Sequence, residues 1–450
     1  MPKGFRPCRH TASHAISALL AVAPFLVAAL VAALVAALMA ALVTTSLSAQ
    51  VPRTSSDTLS ARVRDSIIAE VMRDTLDLAD DALLLPAPAF RQAFTIRPTY
   101  RRYSVGDVRA AEQASYVSWM GRFNRGTLRV DLTPVAYTGD TSAVASRAPV
   151  SFSGVTPVSV RFDLTLRSRD TLRLFAQSTS SPGALSISEA QAIGAVGTST
   201  IDLDAGSLGI ASRVGVRYAL TQLVGGSGVS LSLRSGIEYD PKPSGTESVS
   251  WRGTTVRGML GVSRAMDATT LGASVELTRS FTDSLGGRNL FPGGGQLAVD
   301  ARLLRFFGTD GTGFLALSGF YSRPVDIERP DVATRLIPIG DFAGLTATAA
   351  VPAGALVVIP TVSVLRESSN AQARLSGIPA TLVASGTTAT ASMGLAIPLG
   401  RYITLTPEAG VAFGSVGQTV SARFPRRTRS QSFSDPIRGG WVTLEVSIAR

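Results

Sequence analysis

Between Gly126 and Arg450 the sequence alternates apolar and polar residues in runs whose connections go long, short, long, short. Successive side chains of a strand point to opposite faces, so each run has one apolar and one polar face. Many such runs, joined in turn by tight turns and long loops, predict an all-β chain folded as a transmembrane antiparallel up-and-down β-barrel. The constraint is energetic. An arginine aimed at lipid near the bilayer midplane costs about 2–4 kcal/mol, so the alternation has to be kept strand after strand.

The clearest run sets Val158, Val160, Phe162, Leu164 and Leu166 against Ser159, Arg161, Asp163 and Thr165. Fourteen strands are predicted: 126–136, 158–166, 171–178, 208–220, 229–239, 254–264, 270–281, 296–307, 313–322, 342–351, 355–365, 387–397, 402–413 and 440–450; the pattern allows 12–16. Each is about the 9–11 residues that a tilted membrane strand needs. Connections after even-numbered strands are brief (265–269, 308–312, 352–354, 398–401), and those after odd-numbered strands are longer (179–207, 323–341, 366–386, 414–439). Both chain ends and all tight turns then share one side, the periplasmic one. Pro134, Pro360 and Pro407 fall inside these strands. Proline cannot donate to a ladder, so these positions call for bulges or strand ends. The runs 313–322 and 355–365 are apolar on both faces, which leaves their register open. Aromatics are 6% of the chain, and Tyr218, Tyr239, Phe281, Tyr402, Phe413 and Trp441 stand at strand ends, where an interfacial girdle would place them.

The first 125 residues have a different character. Lys3, Arg6 and Arg9 precede an apolar run from Ala15 to Val43, which is followed by Ser46-Leu47-Ser48-Ala49-Gln50. This predicts a signal peptide over 1–49, cleaved near Ala49. The apolar run is also long enough for the alternative, an uncleaved anchor. In the segment 50–125, Ser55-Ser56-Asp57 offers a helix cap, and Leu59, Val63, Ile67 and Val71 recur every fourth residue. They predict an amphipathic helix over 57–78, ended by Pro86 and Pro88. Residues 90–123 show no sustained period, and the whole segment reads either as a periplasmic arm or as a plug in the barrel mouth.

Cleavage would remove Cys8, His10 and His14, the only Cys and His residues. The mature chain would then lack Ser-His-Asp and Cys-His catalysis and any His- or Cys-ligated zinc or haem. No cofactor, metal site or enzymatic activity is expected. Gly293-Gly294-Gly295 lies in a loop rather than between strand and helix, so it is no phosphate loop. Gly308-Thr309-Asp310-Gly311 reads as a turn, without the further oxygen ligands calcium requires. Loss of Lys3, Arg6 and Arg9 lowers the formal charge from +11 to +8. The arginines are scattered among acids rather than gathered on a basic helix, so no nucleic-acid partner is expected. Arg426, Arg427 and Arg429 form the one dense cation run, which reads as a solvated loop or as a contact for outer-leaflet lipid phosphates.

With the apolar faces in lipid, the opposite faces carry Arg129, Arg161, Arg173, Arg213, Arg217, Arg234, Arg257 and Arg302, together with Asp131, Asp163, Glu238, Glu276, Asp300, Glu408 and Glu445. These are the candidate lumen-facing charges. They can act as rings that orient solutes, or pair across neighbouring strands. A barrel of about fourteen strands is too wide for its own side chains to fill. Inward positions over 342–397 are mostly Ala, Gly, Ser and Thr, fit either to accommodate a plug or to pass an uncharged solute.

On this pattern the chain resembles the bacterial outer-membrane β-barrel superfamily over residues 126–450. The last strand, with Val442, Leu444, Val446 and Ile448 alternating with Thr443, Glu445 and Ser447, is similar to the C-terminal strand those barrels use as an assembly signal. It ends in Ala449-Arg450 where the superfamily usually has an aromatic residue. Fourteen strands behind an N-terminal segment also look like the fatty-acid and hydrocarbon transporters. Their Asn-Pro-Ala hatch motif has only Leu85-Pro86-Ala87-Pro88 as its counterpart. The resemblance implies an integral outer-membrane protein and the assembly machinery as partner. Its expected function is a porin-like passive channel or transporter for small solutes; the alternative is a non-enzymatic structural or partner-binding barrel.

Overall fold

In a computed structural model, the described residues are 92–124, 126–140, 150–156, 158–167, 170–178, 203, 213–224, 229–239, 250–251, 254–280, 282–285, 288–292, 295–308, 313–325, 339–375, 378–424 and 427–449. The expected signal peptide, the helix over 57–78 and Arg426 lie outside them.

In chain order the strands are β1 (Gln92–Val105), β2 (Val108–Phe123), β3 (Gly126–Leu132), β4 (Pro134–Asp140), β5 (Val150–Val155), β6 (Val158–Arg167), β7 (Asp170–Ser178), β8 (Arg213–Val224), β9 (Val229–Tyr239), β10 (Ser250–Trp251), β11 (Thr254–Met266) and β12 (Thr269–Ser280). There follow β13 (Thr282–Leu285), β14 (Arg288–Pro292), β15 (Gly295–Phe307), β16 (Gly313–Val325), β17 (Ile339–Ala353), β18 (Leu356–Leu375), β19 (Ile378–Leu399), β20 (Ile403–Phe424) and β21 (Arg427–Ala449). β10, β13 and β14 form a small separate sheet within two of the long connections. The remaining strands make one antiparallel sheet that closes where β1 pairs with both β2 and β21.

The closed barrel has sixteen staves, because two staves are each broken in the middle. β3 and β4 both pair with β2, while β6 pairs with β3 and β5 with β4. The breaks are stitched together. Thr133 N donates to Thr156 Oγ1 at 3.0 Å, and Thr156 N donates to the Thr133 carbonyl at 2.9 Å.

Sixteen is the upper end of the expected range, and the two added staves are β1 and β2. They occupy the stretch expected to be an irregular arm or plug, so the barrel begins at Gln92 and not at Gly126. Since they add a hairpin, the parity of the connections survives. Every even-numbered stave is followed by a brief connection, among them 124–125, 267–268, 354–355 and 400–402. Gly106, Gly354 and Gly400 take φ of 57°, 67° and 77°, the left-handed conformation that favours glycine in tight turns.

Two of the expected long loops are strand instead. Residues 366–386 and 414–439 extend the hairpins β18–β19 and β20–β21, whose ladders run without interruption out to Leu375↔Ile378 and Phe424↔Arg427. Each in-strand proline meets a concession in the ladder. Pro134 opens β4 just after the break at Thr133. The β17–β18 ladder skips from Thr348↔Thr361 to Val351↔Val358 beside Pro360. The β19–β20 ladder skips from Gly394↔Glu408 to Ile397↔Leu405 beside Pro407. The missing N–H is thus placed where no bond is drawn.

Along the wall the apolar face is bare. Leu231, Leu233, Ile237, Leu260, Val262, Val275, Leu277, Leu345, Val411, Val442 and Leu444 are all exposed, Leu260 and Leu345 by 61%. An exposed girdle of this size exceeds the few hundred Å² of contiguous apolar patch a soluble monomer tolerates. Hydrocarbon is the environment that relieves it, at about 1.5–3 kcal/mol per large aliphatic side chain removed from water.

Candidate functional site in the inner wall

Register turns the inward side chains into rows. On the face opposite the bare girdle, Arg129 of β3 stands directly across from Arg161 of β6, and Arg173 of β7 from Arg217 of β8. Like charges placed opposite one another destabilise a sheet. Carboxylates two residues along the same strands relieve them. Arg129 Nε donates to Asp131 Oδ1 at 2.9 Å, and Tyr116 OH donates to the same oxygen at 2.6 Å. Arg129 also reaches the Tyr116 hydroxyl. Arg161 Nε forms an ion pair with Asp163 Oδ2 at 3.3 Å, and across the strand pair Arg173 Nε donates to Asp163 Oδ1.

The rows continue around the barrel. Gly236 of β9 lies between Arg217 and Arg257 in one register line. A Cβ there would lie 2.8 Å from the Arg217 side chain, so glycine leaves that arginine its place. Arg234 faces Met259, which in turn faces Glu276. Arg257 Nη1 stands 3.7 Å from Glu276 Oε1, which also accepts from Thr278 Oγ1 at 2.9 Å. Asp300 holds Arg302 at 3.4 Å and accepts from Ser274 Oγ. Backbone register puts Arg213 opposite Gln177, and Glu238 opposite Gly215 and Thr255. The side chains of Arg213, Glu238, Arg427 and Arg429 lie outside the described residues. Glu408 and Glu445 stand apart from these rows, on β20 and β21. Glu408 accepts from Trp441 Nε1 at 3.3 Å, and Glu445 from Ser447 Oγ at 2.6 Å.

Several inner-face residues were missed in the sequence because β1 and β2 were read as irregular. Arg101 Nη1 donates to Glu112 Oε1 at 3.1 Å, with Glu112 only 1% exposed. The Arg97 guanidinium lies 5.4 Å from the centre of the Tyr116 ring. The signal was present: Thr95, Arg97, Thr99 and Arg101 alternate with Phe94, Ile96, Pro98 and Tyr100. The arc β17–β20 is neutral by comparison. Its inner face carries hydroxyl pairs, Thr348 with Thr361 at 3.1 Å and Ser363 with Thr390 at 2.6 Å.

Two apolar clusters share the inner face. Phe314, Ala350 and Ala396 are buried near the short-turn end. At the long-loop end Val105, Val108, Ala110, Val135, Tyr137 and Ile437 form a second cluster, with the Tyr137 and Phe152 rings 5.1 Å apart. Leu203 is buried in that second cluster. It belongs to the connection 179–212 between β7 and β8, so that connection reaches the inner face of β2, β4 and β21. Among the described residues no group of three or more His, Cys, Asp or Glu is placed to hold a metal ion.

No family model and no curated protein matches the chain. Among solved structures it is similar to OprB of Pseudomonas putida, at 9% identity and a TM-score of 0.42, over 79% of this chain and 94% of that one. A loop-deletion mutant of OmpT, an outer membrane protein of Vibrio cholerae, matches at 8% identity and a TM-score of 0.35, over 79% and 99%. OccK7 of Pseudomonas aeruginosa matches at 11% identity and 0.33, over 80% and 99%. What is shown is the fold, a closed antiparallel β-barrel of sixteen staves.

Proposed function

We propose that this chain is an integral outer-membrane channel for small solutes, with an inner wall that discriminates by charge. Width supports the reading. About eight strands already fill their interior with side chains, whereas barrels of 16–18 strands enclose an aqueous passage. The observation that carries the charge selectivity is two in-register arginine pairs on four adjoining staves, Arg129 with Arg161 and Arg173 with Arg217, offset by two residues and joined through Asp163. Guanidiniums fixed in the wall beside carboxylates suit the recognition of carboxylate- or phosphate-bearing solutes. The neutral hydroxyl arc lets the remainder of such a solute pass. Leu203, buried in the apolar cluster at the long-loop end, adds an apolar contact to the inner face there. The leader over 1–49 delivers the chain for export, and the assembly machinery inserts it.

Recording across a planar bilayer under a salt gradient tests the proposal. Stepwise conductance with a reversal potential displaced toward the anion is expected. Absence of conductance at all voltages would support the second reading, a structural or partner-binding barrel. The local ion pairs and inner apolar clusters are what favour that reading.

A further inference from the structure

The outward face carries a second arginine arrangement, at the rim where the long loops emerge. On one register row Arg438 of β21, Ser104 of β1 and Arg109 of β2 stand side by side. On the next row toward the membrane come Gly440, Arg102 and Ala111. Arginine and small residues therefore alternate like the squares of a chequerboard. Arg102 has Arg438 and Arg109 as diagonal neighbours, about 7–8 Å away. Arg438 and Arg109 lie two strands apart, about 9–10 Å. All three are exposed, and they share a face with the girdle: Tyr100, 49% exposed, is two residues below Arg102, and Val442, 56% exposed, is two below Gly440. The patch sits immediately above the apolar belt. Backbone register sets Asp140 of β4 opposite Arg109, Asp107 lies in the β1–β2 turn, and Asp435, beside Gly106, falls on the other face of β21 from Arg438. Ser104 Oγ lies 3.4 Å from the Arg438 carbonyl on the floor between them.

We infer that Arg102, Arg109 and Arg438 bind the phosphate groups of an outer-leaflet glycolipid. An arginine triangle with a small, flat floor brings donors from three directions onto one phosphate oxygen cluster. Its height matches a headgroup whose acyl chains would lie on Tyr100, Val442 and Val411. Arg427 and Arg429, expected in this role together with Arg426, do not fit it. They lie at the far end of the β20–β21 hairpin, eleven residues beyond the Phe413↔Arg438 pair. At about 3.3 Å per residue and a tilt near 40°, that is roughly 25 Å above the belt. Another rim arginine, Arg323, already has Asp341 as a partner at 3.9 Å. The inference rests on the outer-membrane reading above, but not on conduction.

The test uses full-length protein in mild detergent, with bound lipid measured by native mass spectrometry. The probes are bis-phosphorylated lipid A, the same lipid dephosphorylated, and inorganic phosphate. The wild-type protein is expected to retain the phosphorylated lipid at least about tenfold better than the dephosphorylated one, with little competition from inorganic phosphate. The triple variant R102Q/R109Q/R438Q is expected to lose that preference. A control carrying R264Q and R305Q, at the short-turn rim, is expected to keep it. Heat-modifiable gel migration shows that each variant is folded. Equal retention of both lipids, a preference unchanged in the triple variant, or full displacement by inorganic phosphate overturns the inference. Failure of the wild-type chain to fractionate with outer membranes would instead contradict the reading beneath it.

Discussion

Arg129 and Arg161 face each other across neighbouring strands, and each is held by a carboxylate two residues along its own strand. Repulsion across the ladder is thereby converted into attraction along it. The arrangement fixes both guanidiniums in the wall, and the behaviour expected of the proposed channel follows from that.

Asp163 serves two arginines, Arg161 and Arg173. Asp163→Asn removes the shared charge and leaves two cations at close range on a half-buried wall. A destabilisation of about 1–3 kcal/mol is expected, read as a lower temperature for the heat-modifiable gel transition. In the same variant the anion preference of the open channel should rise. A fall in preference would mean that these arginines do not face the conducting path.

Replacing Arg161 and Arg217 together by Ala removes two staves' worth of positive charge. The anion-to-cation permeability ratio is expected to drop severalfold, since charged rings set pore selectivity. Reversal potentials measured under a salt gradient check this, and an unchanged ratio would place the selectivity elsewhere.

Leu203, which stands between β7 and β8 in sequence, is buried among Val105, Val135, Tyr137 and Ile437 at the long-loop end. Leu203→Ala removes a large apolar side chain from a packed cluster, which typically costs about 2–5 kcal/mol locally. A wider mouth and a larger single-channel conductance are expected, with the barrel itself intact on gels. A conductance equal to that of the parent chain would show that this contact does not narrow the path.

Glu112 is almost fully buried against Arg101. Glu112→Ala strands a cation in a low-dielectric corner, at a cost of about 3 kcal/mol. The urea midpoint for unfolding from detergent should fall clearly. If Arg101→Met, made alongside it, restores much of that loss, the damage came from the unpaired charge rather than from lost packing.

The central staves were legible in the sequence, since lipid on one side and a polar interior on the other impose the alternation seen from Val158 to Leu166. The first hairpin was not. β1 and β2 are long enough to emerge from the hydrocarbon, and at their rim the pattern inverts: Arg102, Ser104, Arg109 and Ala111 face outward while Val105, Val108 and Ala110 are buried on the inner face. The same cause hid the extensions of β18–β21: outside the membrane nothing selects apolar residues on one face, and the strands are defined by backbone pairing alone. Parity was enough to propose which charges share a face. It could not show that Arg161 meets Arg129, or that Asp163 answers to both Arg161 and Arg173, because those relationships depend on cross-strand register.

Single-cysteine labelling along β9 tests the membrane-spanning wall most directly, in a chain with Cys8 replaced and the protein in native outer membranes. Cysteines at Ser232, Arg234 and Gly236 are expected to react with a small water-soluble thiol reagent, while those at Leu231, Leu233 and Ile237 are shielded from it and reached by a lipid-phase quencher. Uniform labelling of all six positions by the aqueous reagent would contradict a strand with one face in hydrocarbon and the other in water.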